Sequence, residues 1–574
     1  SGIEAVVGSS YSDMLSGDDE DNLLEGGGGN DTLAGGIGAD TLAGGLGVDT
    51  VSYATSDAAV TVNLATSIAT GGDALGDTFT SIEAVIGSAF NDVLTGDGLN
   101  NTLEGGVGDD TLIGGAGADS IAGGAGTDTA DYSTSSGAIT LSLSGGIGTG
   151  GDAQGDTVTD IENLVGSALE DHLTGDGQAN NINAGAGDDT VLGGAGADTL
   201  LGGSGNDVLI GGAGADSLVG GTGMDSADYS GSLAAVTVNL GTGLASGGDA
   251  AGDVLSGIEN ISGSEHADSL TGDAGANLLD GGIGNDTLAG GAGADTMNGG
   301  AGTDVISYAS SSAAVSINFA AGTGAGGDAQ GDVTSSIEGV IGTAYNDTLI
   351  GDGNANILDG GAGNDTLSGG AGSDTLIGGS GNDVASYADA VGAVTVDLST
   401  GTGAGNDAEG DSFSGIEAVL GSAFSDSLIG DSADNTLDGG AGNDTLMGGA
   451  GADQLTGGSG SDAVDYSTSS TSVTVNLATQ SATGGDAEGD IMSSIENAIG
   501  SGFADQLTGD AYANLLRGGA GNDTMLGAAG ADTLDGGAGI DTADYSGSID
   551  SITVNLATNT GLGGDAQDDV LVGI

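Results

Sequence analysis

The chain has 574 residues, of which 84 are acidic and one, Arg517, is basic, for a net charge of −83. Such an excess excludes nucleic acid and anionic membrane as direct partners, because both are bound through Lys and Arg, and it points to cations instead. With 125 glycines, 3 % aromatics and no proline, cysteine or tryptophan, the chain can build only a thin core of Ala, Leu, Val and Ile side chains.

The absence of cysteine leaves no disulfide framework. No apolar run approaches the 18 residues of a membrane-spanning helix, and no signal-peptide pattern is evident. High charge with few aromatics is a composition of disorder, but regularly placed leucines argue for order once cations are bound.

Residues 1–7 read as the end of a preceding repeat. Repeats then follow at 8–86, 87–165, 166–262, 263–341, 342–420, 421–499 and 500–574, the last one truncated. The dipeptide Ile-Glu marks the phase at Ile3-Glu4, Ile82-Glu83, Ile161-Glu162, Ile258-Glu259, Ile337-Glu338, Ile416-Glu417 and Ile495-Glu496. These markers are 79 residues apart except for one spacing of 97. The difference of 18 is two nonapeptides, the insertion that a stack of 18-residue coils tolerates. The chain starts and stops at nearly the same phase without a distinct cap. It is therefore expected to be a window of a longer array, or to be capped by neighbouring copies.

Each repeat opens with a block of nonapeptides, five in residues 8–52 and seven in residues 166–228. The unit is Gly35-Gly36-Ile37-Gly38-Ala39-Asp40-Thr41-Leu42-Ala43, or G-G-x-G-x-D-x-L-x. It is flanked by Gly26–Ala34 and Gly44–Ser52 and returns at Gly193–Leu201, Gly360–Ser368 and Gly439–Met447. Its glycines permit positive φ and close backbone approach. The Asp supplies a hard carboxylate oxygen suited to calcium. The Leu, between small polar neighbours, makes a three-residue strand with one side chain pointing inward. Turn, strand, turn, strand closes one coil, so a sixth-position Asp sits above the Asp two units away. Two such charges roughly 5 Å apart repel by about 1 kcal/mol in water and about 3 kcal/mol at an effective dielectric of 20. A column of them calls for cations, with glycine carbonyls completing an all-oxygen cage.

The candidate metal ligands are the sixth-position aspartates. They are Asp13, Asp31, Asp40 and Asp49; Asp92, Asp110, Asp119 and Asp128; Asp171, Asp189, Asp198, Asp207, Asp216 and Asp225; Asp268, Asp286, Asp295 and Asp304; Asp347, Asp365, Asp374 and Asp383; Asp426, Asp444, Asp453 and Asp462; and Asp505, Asp523, Asp532 and Asp541. The second unit of every repeat carries Asn instead (Asn22, Asn101, Asn180, Asn277, Asn356, Asn435, Asn514), which weakens the site of its partner, such as Asp40. The first unit lacks some glycines (Gly8-Ser9-Ser10-Tyr11-Ser12-Asp13), so its outer side is a poorer cage. Asp189, Asp207 and Asp225 on one edge, and Asp198 with Asp216 on the other, predict the longest metal column.

The block is followed by a spacer, residues 53–86 in the first repeat. It opens with a tyrosine (Tyr53, Tyr132, Tyr229, Tyr308, Tyr387, Tyr466, Tyr545) read as a packing plug. Period-two alternation over Val60–Leu64 predicts a half-buried strand, and a second strand is expected around Ile82–Ile86. Whether the spacer widens the coils or forms a small sandwich-like bulge stays open. Its carboxylates Asp73, Asp77 and Glu83, with Asp152, Asp156 and Glu162 or Asp486, Asp490 and Glu496, offer a separate calcium site or a solvated turn. The seventh repeat departs, with Asp568 in a glycine position.

No catalytic constellation is present. The two histidines, His172 and His266, stand in different slots, and His172 is expected on an exposed strand. Gly146–Gly151 matches G-x-G-x-x-G, which is chance in so glycine-rich a chain. No enzyme activity is expected.

The nonapeptides closely resemble the RTX, or hemolysin-type, calcium-binding repeats, and the resemblance covers somewhat over half of the chain. It implies an all-β, calcium-loaded, right-handed parallel β-roll or β-helix solenoid, many Ca2+ per chain, and folding on meeting external calcium after type I secretion. The spacers look like those of long bacterial surface proteins. The expected role is an extracellular or cell-surface rod, filament, surface layer or matrix adhesin, partnered by other copies of itself or by surface components, without membrane insertion. The rivals are a secretion and folding module of a larger toxin or enzyme, an adhesin stalk, and an ice- or ligand-binding face built on Thr32, Thr41 and Thr102.

Overall fold

A computed structural model describes residues 2–574. The chain resolves into two compact units. The first holds residues up to Leu288 together with Gly300–Gly302, and the second holds Ala289–Gly299 with Thr303–Ile574.

In the first unit the nonapeptides form short strands such as Thr32–Ala34 and Thr111–Ile113, each with its middle residue buried and its flanks half-buried. Leu33, Leu42, Leu103 and Leu112 are fully buried at that middle position. Strands 18 residues apart pair in parallel, with Leu15 beside Leu33 and Leu33 beside Val51. Consecutive nonapeptides therefore alternate between two facing sheets, and the apolar side chains fill the space between them. The turns need glycine at defined points. Gly45 has φ +114°, and a Cβ there would run into the carbonyl oxygen of Gly27 one coil below. No L-residue fits both the dihedral and the gap. In the long block the strands lengthen through the turns, as in Thr190–Gly196 and Val208–Gly214.

The spacers continue this stack. In the third repeat Thr237–Asn239 pairs antiparallel with Leu244–Ser246, which pairs antiparallel with Val254–Ser256. The two outer strands rejoin the parallel ladder, Val254–Ser256 on Ser217–Thr222 and Thr237–Asn239 on Ser269–Thr271. The facing sheet meanwhile steps directly from Ser226–Asp228 to Asn260–Ser262 and Leu278–Asp280. Each spacer thus widens one sheet and leaves the other continuous, and no separate sandwich forms. Because the blocks hold an odd number of nonapeptides, the insertion changes sheet from one repeat to the next. Thr61–Asn63 joins the ladder of Val93–Thr95, whereas Thr140–Ser142 joins that of His172–Thr174.

The second unit obeys the same rules. Thr348–Ile350, Thr366–Ser368 and Val384–Ser386 stack in parallel around buried Leu349, Leu367 and Ala385. The insertion at Ser316–Asn318 enters the sheet of Thr348–Ile350, and the next, at Thr395–Asp397, enters that of Ser427–Ile429. Six of the spacer tyrosines plug the roll as expected, with Tyr308 and Tyr466 both 2 % exposed, whereas Tyr545 is half-buried.

Candidate metal centre

The sixth-position side chains stack along two edges. On one, the Asp13 N–H donates to Asp31 Oδ1 at 2.8 Å, the Asp31 N–H to Asp49 Oδ1 at 2.7 Å, and the Asp49 N–H to Glu83 Oε2 at 3.0 Å. On the other, the Asn22 N–H donates to Asp40 Oδ1 at 2.7 Å and the Asp40 N–H to Asp77 Oδ1 at 2.8 Å. The long block brings together Asp189, Asp207 and Asp225 on one edge and Asp198 with Asp216 on the other. Equivalent ladders run through Asp110 to Asp128, Asp365 to Asp383, Asp444 to Asp462 and Asp523 to Asp541.

One carboxylate oxygen is consumed by the ladder, and the other is not. Oδ2 is buried without a hydrogen-bond partner in Asp31, Asp40 and Asp49; Asp110, Asp119 and Asp128; Asp189, Asp198, Asp207, Asp216 and Asp225; Asp365, Asp374 and Asp383; Asp444, Asp453 and Asp462; and Asp523, Asp532 and Asp541. A bare carboxylate oxygen in such a place is costly unless something positive meets it. Carbonyls converge on the same spot. A Cβ added to Gly193 would lie 2.5 Å from Asp198 Oδ2 and 2.7 Å from the Gly211 carbonyl oxygen of the next coil. Among the described residues no three acidic, His or Cys side chains form one cluster. A cation here would rest on carboxylate oxygens and backbone carbonyls, a donor set that fits calcium.

Burial is the main reason that several of the inner aspartates hold their protons more tightly than usual. It raises Asp189 to about 7, helped by the charges of Asp207 and Asp171, and raises Asp110, Asp119, Asp198, Asp365, Asp374, Asp444, Asp453 and Asp532 to about 6.

The aspartates of the first nonapeptide in each repeat are placed differently. Asp13, Asp92, Asp171, Asp268, Asp347, Asp426 and Asp505 each accept from the hydroxyl and N–H of the Ser or Thr four residues earlier. The second-unit asparagines have a task that a carboxylate cannot perform. Asn514 Nδ2 donates to the Glu496 carbonyl oxygen at 2.8 Å, and Asn180 Nδ2 to that of Glu162 at 3.2 Å. The signal was available, since each of these asparagines lies 18 residues after an Ile-Glu glutamate.

The structure does not bring the spacer carboxylates into one site. Asp77 closes one edge and Glu83 the other, because they lie 37 and 34 residues after the aspartates they cap. Asp156, Glu162, Asp490 and Glu496 repeat this arrangement. Asp73, Asp152 and Asp486 sit apart in a 3-10 turn, where their N–H groups donate to Ser56, Ser135 and Ser469. In the seventh repeat Asp568 adopts the positive φ of the glycine that it replaces.

The tyrosine does more than fill space. The Tyr132 hydroxyl donates to Asp156 Oδ2 at 2.9 Å, and both residues are buried. Tyr132→Phe is expected to leave that oxygen bare and to lower local stability by about 1–3 kcal/mol. Hydrogen exchange of the second spacer's amides in calcium reads this directly.

Stacked coils with oxygen-lined acidic edges define a parallel β-roll of metal-binding type. The chain belongs to the family of the RTX calcium-binding nonapeptide repeat, whose model matches residues 16–51, 95–130, 165–200, 192–226, 254–288, 280–310, 340–367, 350–385, 412–446, 429–464, 499–534 and 508–543, together more than half of the chain. A search of curated proteins found no match. Among the described residues no helix is long and apolar enough to cross a membrane.

Proposed function

We propose that the protein is a calcium-dependent extracellular structural repeat protein, working as a rod, filament, surface-layer or matrix component without a catalytic role. The buried, unpartnered Oδ2 atoms of the inner nonapeptides carry this reading. The ligands assigned to Ca2+ are those aspartates, from Asp31, Asp40 and Asp49 through Asp523, Asp532 and Asp541, with first-position carbonyls beside them. The ion supplies positive charge that lets stacked carboxylates remain ionised in a dry turn. Weak all-oxygen sites fill at the roughly 10⁻⁴–10⁻³ M calcium found outside cells. Proteins with these repeats are typically secreted, in keeping with that location.

Other copies of the chain are the partners this reading favours. The test is sedimentation velocity with negative-stain microscopy, in EDTA and in millimolar calcium. Elongated particles that associate end to end or side to side with calcium are expected. Folded single particles that stay dispersed at high concentration would remove the self-assembling role and leave an adhesin stalk or a secretion and folding module.

A further inference from the structure

The first nonapeptide of every repeat carries Ser or Thr at its second position, where the second nonapeptide carries Asp and the later ones carry Gly, or Ala in the case of Ala528. In the second repeat the Ser88 hydroxyl donates to Asp92 Oδ1 at 2.8 Å, and the Ser88 N–H donates to Oδ2. The Val60 N–H, arriving from the preceding spacer, donates to Oδ1 at 2.7 Å. In the fifth repeat Asp347 meets the Thr343 hydroxyl at 3.0 Å, the Thr343 N–H at 2.5 Å and the Val315 N–H at 2.7 Å. Both oxygens are occupied in each case.

Burial does not separate these aspartates from the inner ones. Asp92 and Asp347 are 1 % and 2 % exposed, and Asp110 and Asp365 are 1 % and 0 % exposed. Their partners do separate them, since Oδ2 of Asp110 and Asp365 has none. A carboxylate that already accepts three donors has both oxygens satisfied without a cation. A cation arriving there would displace a hydroxyl and an N–H that already occupy the carboxylate.

We infer that the Ser or Thr hydroxyl takes the place of the cation at the first nonapeptide, so that calcium is confined to the inner turns and the metal columns are interrupted once per repeat. This rests on the calcium reading above. It withdraws Asp13, Asp92, Asp171, Asp268, Asp347, Asp426 and Asp505 from the ligand set and assigns them a structural role.

The experiment counts calcium ions on the full chain by native mass spectrometry in calcium. Asp92→Asn and Asp347→Asn are expected to leave the count of the parent chain unchanged, while Asp110→Asn and Asp365→Asn each lose at least one ion. Loss of an ion from either first-unit variant would overturn the inference. Asn places a donor against the Ser88 or Thr343 N–H and can unfold the turn, so Ser88→Gly gives a second reading. It restores the inner-turn sequence and is expected to add one ion, and an unchanged count counts against the hydroxyl's role. A parent chain that holds no calcium would instead overturn the calcium reading itself, which is a distinguishable result.

Discussion

In EDTA the chain is expected to lose its β-structure, and millimolar calcium is expected to restore it. The magnitudes decide this. Each five-nonapeptide block outside the fourth repeat presents three buried carboxylate oxygens without partners, and the long block presents five. A buried unsatisfied polar group costs about 1–3 kcal/mol, so a 79-residue repeat carries a penalty of about 3–9 kcal/mol. At roughly 0.05–0.15 kcal/mol per residue, the stability available to 79 residues is about 4–12 kcal/mol. The penalty is of the same size as the stability, and a core one leucine thick has little to spare. Calcium removes the penalty and adds its own binding free energy. Far-UV circular dichroism across a calcium titration measures the switch. A spectrum as β-rich in EDTA as in calcium would show that the aspartates do not control folding.

The periodic part of this architecture was legible because its contacts are local in pattern. A Leu every nine residues predicts a strand at each unit, and the 97-residue spacing implies the 18-residue coil that pairs Leu33 with Val51. What escaped reading are bonds between residues that no short motif connects. Val60–Leu64 announces a strand, but nothing there announces its antiparallel partner Ile68–Thr70. The connecting turn uses Ser67 at φ +55° in place of an Asn-Gly or Asp-Gly pair. Glu83 and Asp77 read as neighbours in a loop, yet their offsets of 34 and 37 residues send them to opposite edges. The Ser or Thr that precedes each first-nonapeptide aspartate by four residues looked like a degraded glycine. Its hydroxyl, four residues from the carboxylate, makes it a donor in its own right.

Without calcium, lowering the pH from 7 to 5 is expected to restore part of the β-structure that EDTA removes. Asp189 in the metal-free fold is raised to about 7, and Asp110, Asp119, Asp198 and Asp374 are raised to about 6, against an ordinary 3.8 that holds for the unfolded chain. A carboxylate with a raised folded value favours the fold when protonated. Its contribution is fully present below about 4 and is lost as the pH rises through 6 to 7. A proton thus substitutes for calcium at the bare oxygen, and the two compete, so calcium bound at a fixed free concentration should fall over the same interval. Stopping at pH 5 keeps the chain above its isoelectric point of about 4.1, where aggregation would mimic folding. Simple relief of charge repulsion predicts a similar trend, and Asp→Asn at positions 189, 198 and 207 separates the two. If bare oxygens are the cause, these neutral variants gain β-structure in EDTA at pH 7. If global repulsion is the cause, removing three charges from −83 changes nothing measurable.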